Sequence, residues 1–337
     1  MKRSRGTAAA ITGLMLGVMQ TASAQTSAPA SVQAPNPSTS PEPALGDPMP
    51  ERILRYPGDV AVNADVVFSS IPGYRPLTLD LYRSATGKPA KPLVIYIHGG
   101  GWMAGHTRQS GAFSDFTQVL ADLAKRGYVV ASLEYRLSLE APFPAAINDV
   151  RAAVRFLKAN AERFGIDPGH IALWGGSAGG QLAALAALDC GRAPEGEDKN
   201  NAAQSDCVQG AVGWYGVYDF ATMPKSVIPR AENTYLDCEK GTCPVDRVTA
   251  ASPAAHVDKS DPPMLLIHGA DDKTVPVEQS RLLAEKLRAA HVPVDLTIIP
   301  AVGHSWIGAD AGATRAASLR ALTLTFDFFD RTLKGAK

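Results

Sequence analysis

Ser177 lies in a Gly-Gly-Ser-Ala-Gly turn whose surroundings could make its hydroxyl a nucleophile. The turn follows the apolar run 171–174 and precedes residues 181–188, which are typical of a helix. A serine between a strand and a helix takes a strained backbone conformation, and small neighbours relieve the crowding around it. The pattern therefore predicts a nucleophile elbow, with the Ser177 hydroxyl at the tip of the turn.

A second glycine-rich segment, residues 98–102 (His-Gly-Gly-Gly-Trp), ends the apolar run 93–97. Backbone N–H groups of such a loop can stabilise the oxyanion that forms when a nucleophile attacks a carbonyl carbon. His98 is expected to brace this loop rather than to transfer protons. Together the two segments predict acyl-transfer chemistry on esters or amides.

An activated serine needs a histidine to accept its proton and a carboxylate to orient that histidine. In the fold that carries such an elbow, the chain order is serine, acid, histidine. Of the seven histidines, His304 lies in a loop just beyond the strand-like run 296–299, where a histidine that follows the last strand belongs. His304 is therefore the predicted general base.

The acid is expected in the loop 268–276, which follows the preceding strand. Asp271 and Asp272 are both candidates, because adjacent residues on an extended loop point to opposite sides and only one can reach the histidine. Spacing alone does not choose between them. Asp219 is a third candidate after the run 210–215, and we interpret it as a helix or turn cap.

Strand-like and helix-like patterns alternate from about residue 77 onward, which is typical of a mostly parallel sheet with helices on both faces. We therefore predict one α/β catalytic domain over residues 51–337. Leucines alternate with other residues over 77–82, as in a half-exposed edge strand, whereas 93–97 is continuously apolar, as in a buried central strand. Residues 219–252 are irregular and are predicted to form a cap or substrate-facing insertion.

The chain of 337 residues carries 33 basic and 33 acidic side chains, so its formal net charge is zero and nucleic acid is not expected as a partner. The N-terminus has the pattern of an export signal: Lys2, Arg3 and Arg5 precede the apolar run 8–19, and a small-x-small site ends at Ala24. We predict a signal peptide over 1–24, no membrane span after its cleavage, and a disordered linker rich in Pro, Ser and Ala over 25–50.

Four cysteines fall in the second half of the chain. Export to an oxidising compartment makes disulfides the first hypothesis, and four cysteines allow three pairings. We favour Cys238–Cys243, which closes a tight loop, together with Cys190–Cys207, which closes a polar segment. Their spacings fit no common zinc pattern, so no metal site is predicted.

Four segments, in the right order and spread over most of the domain, carry a resemblance to a known family: residues 98–102, 134–137 with 143–146, 174–180, and 268–276 with 303–304. From about residue 60 onward, the chain resembles the α/β-hydrolase superfamily. Within it, the chain looks most like exported bacterial esterases related to hormone-sensitive lipase and to the feruloyl and acetylxylan esterase-like group. The resemblance implies an α/β-hydrolase fold and a Ser-His-Asp triad.

The resemblance also implies roles for individual residues. In that family, two residues and then Val-Pro follow the acid, which implies Asp272 rather than Asp271. Relatives of hormone-sensitive lipase usually carry an aspartate before the nucleophile, where this chain has Gly176. That departure favours the feruloyl-esterase-like branch. The oxyanion donors of the family correspond to the backbone N–H groups of Gly100, Gly101 and Ala178.

The expected protein is an exported serine carboxylesterase, periplasmic or secreted. Its expected substrates are acetyl, feruloyl-type or other short-chain esters, a plant cell-wall ester among them. Trp102, Trp306 and the 219–252 insertion are expected to shape the substrate site, and no metal or organic cofactor is expected. An arylformamidase-like amidase is the alternative, because such enzymes also use a His-Gly-Gly-x-Trp loop. A hydrolase fold that only binds is a further alternative, although all the predicted catalytic residues are present.

Overall fold

The computed structural model describes residues 52–84, 89–191, 199–224, 229–238 and 243–335. The predicted signal peptide over 1–24 and the predicted linker over 25–50 lie outside these residues. Within the described part of the chain, no helix is both long and apolar enough to cross a bilayer.

Nine strands of the described chain form one sheet. They are β1 (Ile53–Tyr56), β2 (Val60–Ser69), β3 (Leu77–Ser84), β4 (Lys91–Ile97), β5 (Val129–Leu133), β6 (Ile166–Gly176), β7 (Gly210–Trp214), β8 (Met264–Gly269) and β9 (Val294–Ile299). Their order across the sheet is β1-β2-β3-β5-β4-β6-β7-β8-β9. The pairs β1–β2, β2–β3 and β3–β5 are antiparallel. All five pairs from β5 through β4 to β9 are parallel. The predicted α/β fold with a mostly parallel sheet is confirmed.

Helices cover both faces of this sheet. They are α1 (Phe116–Lys125), α2 (Ala145–Ala159), α3 (Ala161–Phe164), α4 (Ala178–Leu188), α5 (Pro229–Tyr235), α6 (Val245–Ala251), α7 (Glu278–Ala289) and α8 (Ala311–Leu333). Leu93, Ile95 and Ile97 of β4 belong to a buried cluster that includes α2, α4 and α7. Val94 and Tyr96 belong to a second cluster that includes α1 and α8. Both faces of β4 are thus buried, which is why its sequence is continuously apolar.

The prediction that residues 77–82 form a half-exposed edge strand is wrong. Strand β3 lies between β2 and β5, and both Asp80 and Tyr82 are buried. Asp80 tolerates burial because Thr107 and Arg108 donate hydrogen bonds to its carboxylate, at 3.0 and 2.7 Å. The hairpin of β1 and β2, which the alternation did not indicate, extends the sheet beyond β3.

The three loops with the predicted catalytic residues begin at the carboxyl ends of parallel strands. Strand β6 ends directly before Ser177, β8 ends shortly before Asp272, and β9 ends shortly before the turn that contains His304. Carboxyl ends of parallel strands lie at the same edge of a sheet, where ligands bind in open α/β sheets. The topology therefore brings the three residues to one rim.

The predicted insertion 219–252 lies between β7 and β8. Its described part comprises a short 3-10 turn and the helices α5 and α6. Helix α5 packs against the glycine loop, where Tyr235 stacks on Trp102 with ring centroids 4.5 Å apart. The structure contains the disulfides Cys238–Cys243, between α5 and α6, and Cys190–Cys207, between α4 and β7. These are the pairings favoured from the sequence.

Candidate active site

Ser177 occupies a strained turn between β6 and α4. Its φ of 57° and ψ of −122° lie outside the regions that most residues adopt. The turn is tight because α4 begins directly against the end of β4. A Cβ on Gly179 would lie 2.0 Å from the carbonyl oxygen of Ile97 and 2.6 Å from that of His98. The segment therefore has the strand–turn–helix geometry of the predicted elbow, and only glycine fits at position 179.

Ser177, His304 and Asp272 form a continuous chain of hydrogen bonds. Ser177 Oγ lies 3.0 Å from His304 Nε2, and His304 Nδ1 lies 2.7 Å from Asp272 Oδ2. With the imidazole proton on Nδ1, where it is donated to the carboxylate, Nε2 can accept the serine proton. The arrangement can therefore activate the Ser177 hydroxyl as a nucleophile.

The structure distinguishes between the acids that the spacing left open. Asp272 is buried and contacts His304, whereas Asp271 is exposed. Asp219 lies at the start of a 3-10 turn, where its carboxylate accepts the N–H of Ala221 at 2.9 Å. Asp219 is therefore a turn cap, and Asp272 is the one of the three that reaches the histidine.

Hydrogen-bond donors keep the Asp272 carboxylate charged in its buried position. Burial by itself would raise the pKa of Asp272, but hydrogen bonds from His268 and His304 outweigh burial and hold that pKa well below its usual range. The second carboxylate oxygen, Oδ1, accepts the backbone N–H groups of Thr274 and Val275 at 2.8 and 2.9 Å. Asp272 is therefore an anion that can stabilise a protonated His304.

The glycine loop offers backbone donors beside the elbow. Gly100 has a φ of +115°, and a Cβ there would lie 2.1 Å from the carbonyl oxygen of Ala104, so the loop conformation requires glycine. Ala178 is the first residue of α4, where N–H groups have no partner within the helix. Among the described residues, we find no hydrogen bond from the N–H groups of Gly100, Gly101 or Ala178 to another protein group. These three donors are available to an oxyanion.

The buried side chain of His98 contacts the backbone of the glycine loop. Its Nδ1 lies 2.8 Å from the carbonyl oxygen of Gly99, and its ring stacks on Tyr135 with centroids 4.3 Å apart. Burial lowers the pKa of His98 to about 4, so its imidazole is neutral near pH 7. A neutral, buried ring that bonds the loop backbone fits the bracing role expected from the sequence.

Trp102 and Trp306, which were expected to shape the substrate site, are both buried, with 1% and 0% of their surface exposed. Trp102 donates Nε1–H to Gln181 Oε1 at 2.9 Å and stacks on Tyr235 of α5. Trp306 packs edge-to-face on Trp214, with ring centroids 5.4 Å apart. Neither indole lines an open surface. Each can influence a substrate only through its neighbours, α5 for Trp102 and the His304 turn for Trp306.

Sequence reasoning missed two residues at the site. Tyr215 is buried directly after β7, and its ring centroid lies 4.7 Å from that of His304. A Cβ on Gly176 already lies 3.1 Å from the Tyr215 ring, so the residue before the nucleophile has little room for a side chain. His268, interpreted only as the end of a strand, lies 3.3 Å from Asp272. Neither carries a local signal, since its position at the site depends on how distant strands align.

The described part of the chain holds no group of three or more histidine, cysteine, aspartate or glutamate side chains that could bind a metal ion. All four cysteines are joined in disulfides, so none offers a thiolate. The polar atoms of His304 and Asp272 contact each other, and they also contact Ser177 and His268.

The sheet topology, the elbow and the glycine loop together define the class of α/β-hydrolases. Residues 79–287, well over half of the chain, match the BD-FAE family. The chain belongs to the BD-FAE family, and its resemblance to α/β-hydrolase esterases is confirmed.

Curated relatives of this chain are named as ester hydrolases. The chain is 32% identical over 271 residues to the probable carboxylic ester hydrolase LipM of Mycobacterium tuberculosis, across 77% of this chain and 59% of that protein. It is 35% identical over 257 residues to the esterase LipC of the same organism, across 70% of this chain and 58% of that protein. The chain thus spans about three fifths of the length of these relatives.

Solved structures share the fold. A truncated carbohydrate esterase from gut microbiota superposes with a TM-score of 0.69 at 28% identity, across 81% of this chain and 96% of that one. A bifunctional GH43-CE protein of Bacteroides eggerthii has a TM-score of 0.69 at 29% identity, across 80% of this chain and 38% of that one.

Proposed function

We propose that this protein is an exported serine carboxylesterase that hydrolyses short-chain esters through an acyl-enzyme on Ser177. The observation that carries the proposal is the chain of hydrogen bonds from Ser177 through His304 to Asp272, at 3.0 and 2.7 Å. The names of the relatives, carboxylic ester hydrolase and esterase, support the proposal that the bond hydrolysed is an ester bond.

The first step of the reaction forms a tetrahedral intermediate on Ser177. His304 Nε2 accepts the Ser177 proton while Oγ attacks the ester carbonyl carbon, and the Asp272 carboxylate stabilises the imidazolium that results. The negative charge on the former carbonyl oxygen is stabilised by hydrogen bonds from the backbone N–H groups of the glycine loop and the start of α4. Each such donor contributes about 3 kcal/mol to the transition state. The donors are Gly100, Gly101 and Ala178.

The following steps form the acyl-enzyme and release both products. The imidazolium of His304 donates its proton to the alcohol oxygen, the bond from that oxygen to the carbonyl carbon breaks, and the alcohol leaves. A water molecule then gives its proton to His304 Nε2 and attacks the acyl carbon. Collapse of the second tetrahedral intermediate returns the proton to Ser177 Oγ and releases the carboxylic acid.

The proposed substrates are short acyl esters of a carbohydrate or of another polar alcohol, which include acetyl and feruloyl-type esters of plant cell walls. Gly100 is exposed and the His304 side chain is 19% exposed, so a large alcohol can remain in solvent while its acyl group reacts. Helix α5 limits the space beside the oxyanion donors, since Ala231 Cβ would lie 3.4 Å from a Cβ on Gly101. The carbohydrate esterase among the structural neighbours supports this class.

Export is the second part of the proposal. The basic, apolar and small-residue pattern of residues 1–24 supports it, as do two disulfides, which persist in oxidising compartments. Expression of the whole chain in a bacterium, followed by N-terminal sequencing of the exported protein, tests it. The expected first residue is Gln25; a protein retained in the cytosol and starting at Met1 would refute export.

Ser177→Ala tests the catalytic assignment. Alanine keeps the Cβ that already fits the turn, so the melting temperature is expected to remain near that of the wild type, while turnover of p-nitrophenyl acetate falls to the background rate. Ser260→Ala, at an exposed surface turn, is the matched control and is expected to retain activity. Retained turnover by the Ser177 variant would exclude this serine as the nucleophile.

The alternatives predict other outcomes. An arylformamidase-like amidase would turn over formylkynurenine faster than acetyl or feruloyl esters, and the esterase names of the relatives do not favour it. A protein that only binds would leave Ser177 unlabelled by a fluorophosphonate probe. We expect labelling of the wild type and none of Ser177→Ala.

A further inference from the structure

We propose that His268 is a positioning residue, whose imidazole holds the Asp272 carboxylate in the orientation that His304 needs. This inference rests on the proposed function, in which Asp272 orients the general base. The sequence does not indicate this role, because His268 lies at the end of β8, before the loop that contains the acid, whereas the catalytic histidine is expected after the acid.

The hydrogen bonds of His268 determine which of its nitrogens carries the proton. His268 is fully buried, and its Nε2 lies 2.9 Å from the carbonyl oxygen of Val275 and 3.3 Å from Asp272 Oδ2. Both oxygens can only accept, so Nε2 carries the proton. Nδ1 lies 2.7 Å from Ser280 Oγ on α7, a hydroxyl that can donate to it or accept from it. His268 therefore presents an N–H donor to the acid.

This donor completes the set that surrounds the carboxylate. Oδ1 of Asp272 accepts the backbone N–H groups of Thr274 and Val275. Oδ2 accepts His304 Nδ1–H at 2.7 Å and lies 3.3 Å from His268 Nε2, whose N–H it shares with the carbonyl oxygen of Val275. Rotation of the carboxylate would break bonds on both oxygens at once. The orientation of Asp272 therefore does not depend on its bond to His304 and is maintained throughout the cycle.

The two histidines share one oxygen, which has an electrostatic consequence. The ionisable groups that face the carboxylate are His268, His304 and the Tyr215 phenol, and burial keeps that phenol uncharged. A donor on Oδ2 withdraws negative charge from the bond to His304 and so weakens the stabilisation of the imidazolium. Removal of the His268 donor should both loosen the carboxylate and favour the protonated, inactive form of His304.

Two substitutions at this position separate the donor from the packing. His268→Met has similar volume and no donor, whereas His268→Gln can place an amide N–H near the position of Nε2. The readout is the rate at which a fluorophosphonate probe labels Ser177 as a function of pH, which requires no choice of ester. We expect His268→Met to react about tenfold to a hundredfold more slowly. Its acid limb should lie about half a pH unit higher, and His268→Gln should move both values back toward wild type.

A double-mutant cycle distinguishes positioning from packing. In an Asp272→Ala background, His268→Met should cause no further loss of labelling rate, because the two residues act through the same carboxylate. An equal loss in both backgrounds would overturn the inference. A folded His268→Met protein with wild-type rate and an unmoved acid limb would overturn it as well.

A second variant covers the case in which His268→Met does not fold. Ser280→Ala leaves the imidazole in place but removes the hydroxyl that holds Nδ1, so labelling should slow severalfold; a wild-type rate and pH profile would contradict the inference. A wild-type protein that the probe does not label at Ser177 would instead overturn the proposed function itself. Labelled wild type with unaffected His268 and Ser280 variants would overturn only the positioning role.

Discussion

Replacement of Asp272 by asparagine should reverse the tautomer of His304. Oδ1 of Asp272 accepts the N–H groups of Thr274 and Val275 at 2.8 and 2.9 Å, so the asparagine carbonyl must take that position. The amide NH₂ then replaces Oδ2, which lies 2.7 Å from His304 Nδ1. Nδ1 must accept this N–H, and the ring proton moves to Nε2. The imidazole can then no longer accept the proton of Ser177.

The expected loss of kcat in Asp272→Asn is about 10⁴-fold, the size of this tautomer effect in Ser-His-Asp hydrolases. It corresponds to about 5 kcal/mol of transition-state stabilisation. The assay is kcat for p-nitrophenyl acetate, with the melting temperature as a measure of folding. Asp271→Asn is the matched control, because it removes the same charge from the adjacent, exposed position. Its kcat should remain near wild type.

Two outcomes would refute this reasoning. One is an Asp272→Asn protein that keeps more than about a tenth of wild-type kcat, since the wrong tautomer cannot act as a base. The other is a large loss in Asp271→Asn with Asp272→Asn unaffected. A loss accompanied by a much lower melting temperature would point to an unfolded loop rather than to the tautomer.

Three further predictions concern the loop, the pH dependence and the disulfides. Gly100→Ala should abolish activity, because its Cβ would lie 2.1 Å from a carbonyl oxygen, whereas Gly73→Ala, at φ +89° with no atom within 4 Å, should stay active and cost about 1 kcal/mol of stability. The free energy of unfolding, measured by urea titration, should be about 3 kcal/mol lower at pH 4 than at pH 7. The pKa of His98 is about 4 in the folded protein and 6.5 in the unfolded chain, so protonation of His98 favours the unfolded chain. The same pH dependence of the unfolding free energy in His98→Asn would contradict this origin. Replacement of both cysteines by serine should lower the free energy of unfolding by about 3 kcal/mol for Cys190–Cys207 and by about 2 kcal/mol for Cys238–Cys243. The first disulfide closes the longer loop, with a sequence separation of 17 residues against 5. Equal melting temperatures of the two variants would contradict the loop-entropy account.

The fold class could be predicted because hydrophobic patterns report how many faces of an element are buried. The continuous apolar run of β4 indicates a strand covered on both sides, and its residues do alternate between the two buried clusters. The alternation in β3 was misleading for a related reason. It reports the polarity of side chains, not which strands pair on either side. It therefore missed both the β1–β2 hairpin and the ion pair with Arg108 that lets Asp80 be buried. The assignment of residues 1–24 and 25–50 to a signal peptide and a linker stays a prediction.

The sequence alone determines the elbow, because the steric limits at a tight turn act between neighbouring residues. It also determines the order of serine, acid and histidine, because that order follows the order of the strands along the chain. Position 179 had to be glycine for α4 to start against β4. Which carboxylate serves His304, and what holds that carboxylate, depended on tertiary structure. Burial and two neighbouring N–H groups select Asp272 over Asp271, and the alignment of β7, β8 and α7 brings Tyr215 and His268 to the site. Such contacts join segments far apart in the sequence, so they exist only once the sheet has assembled.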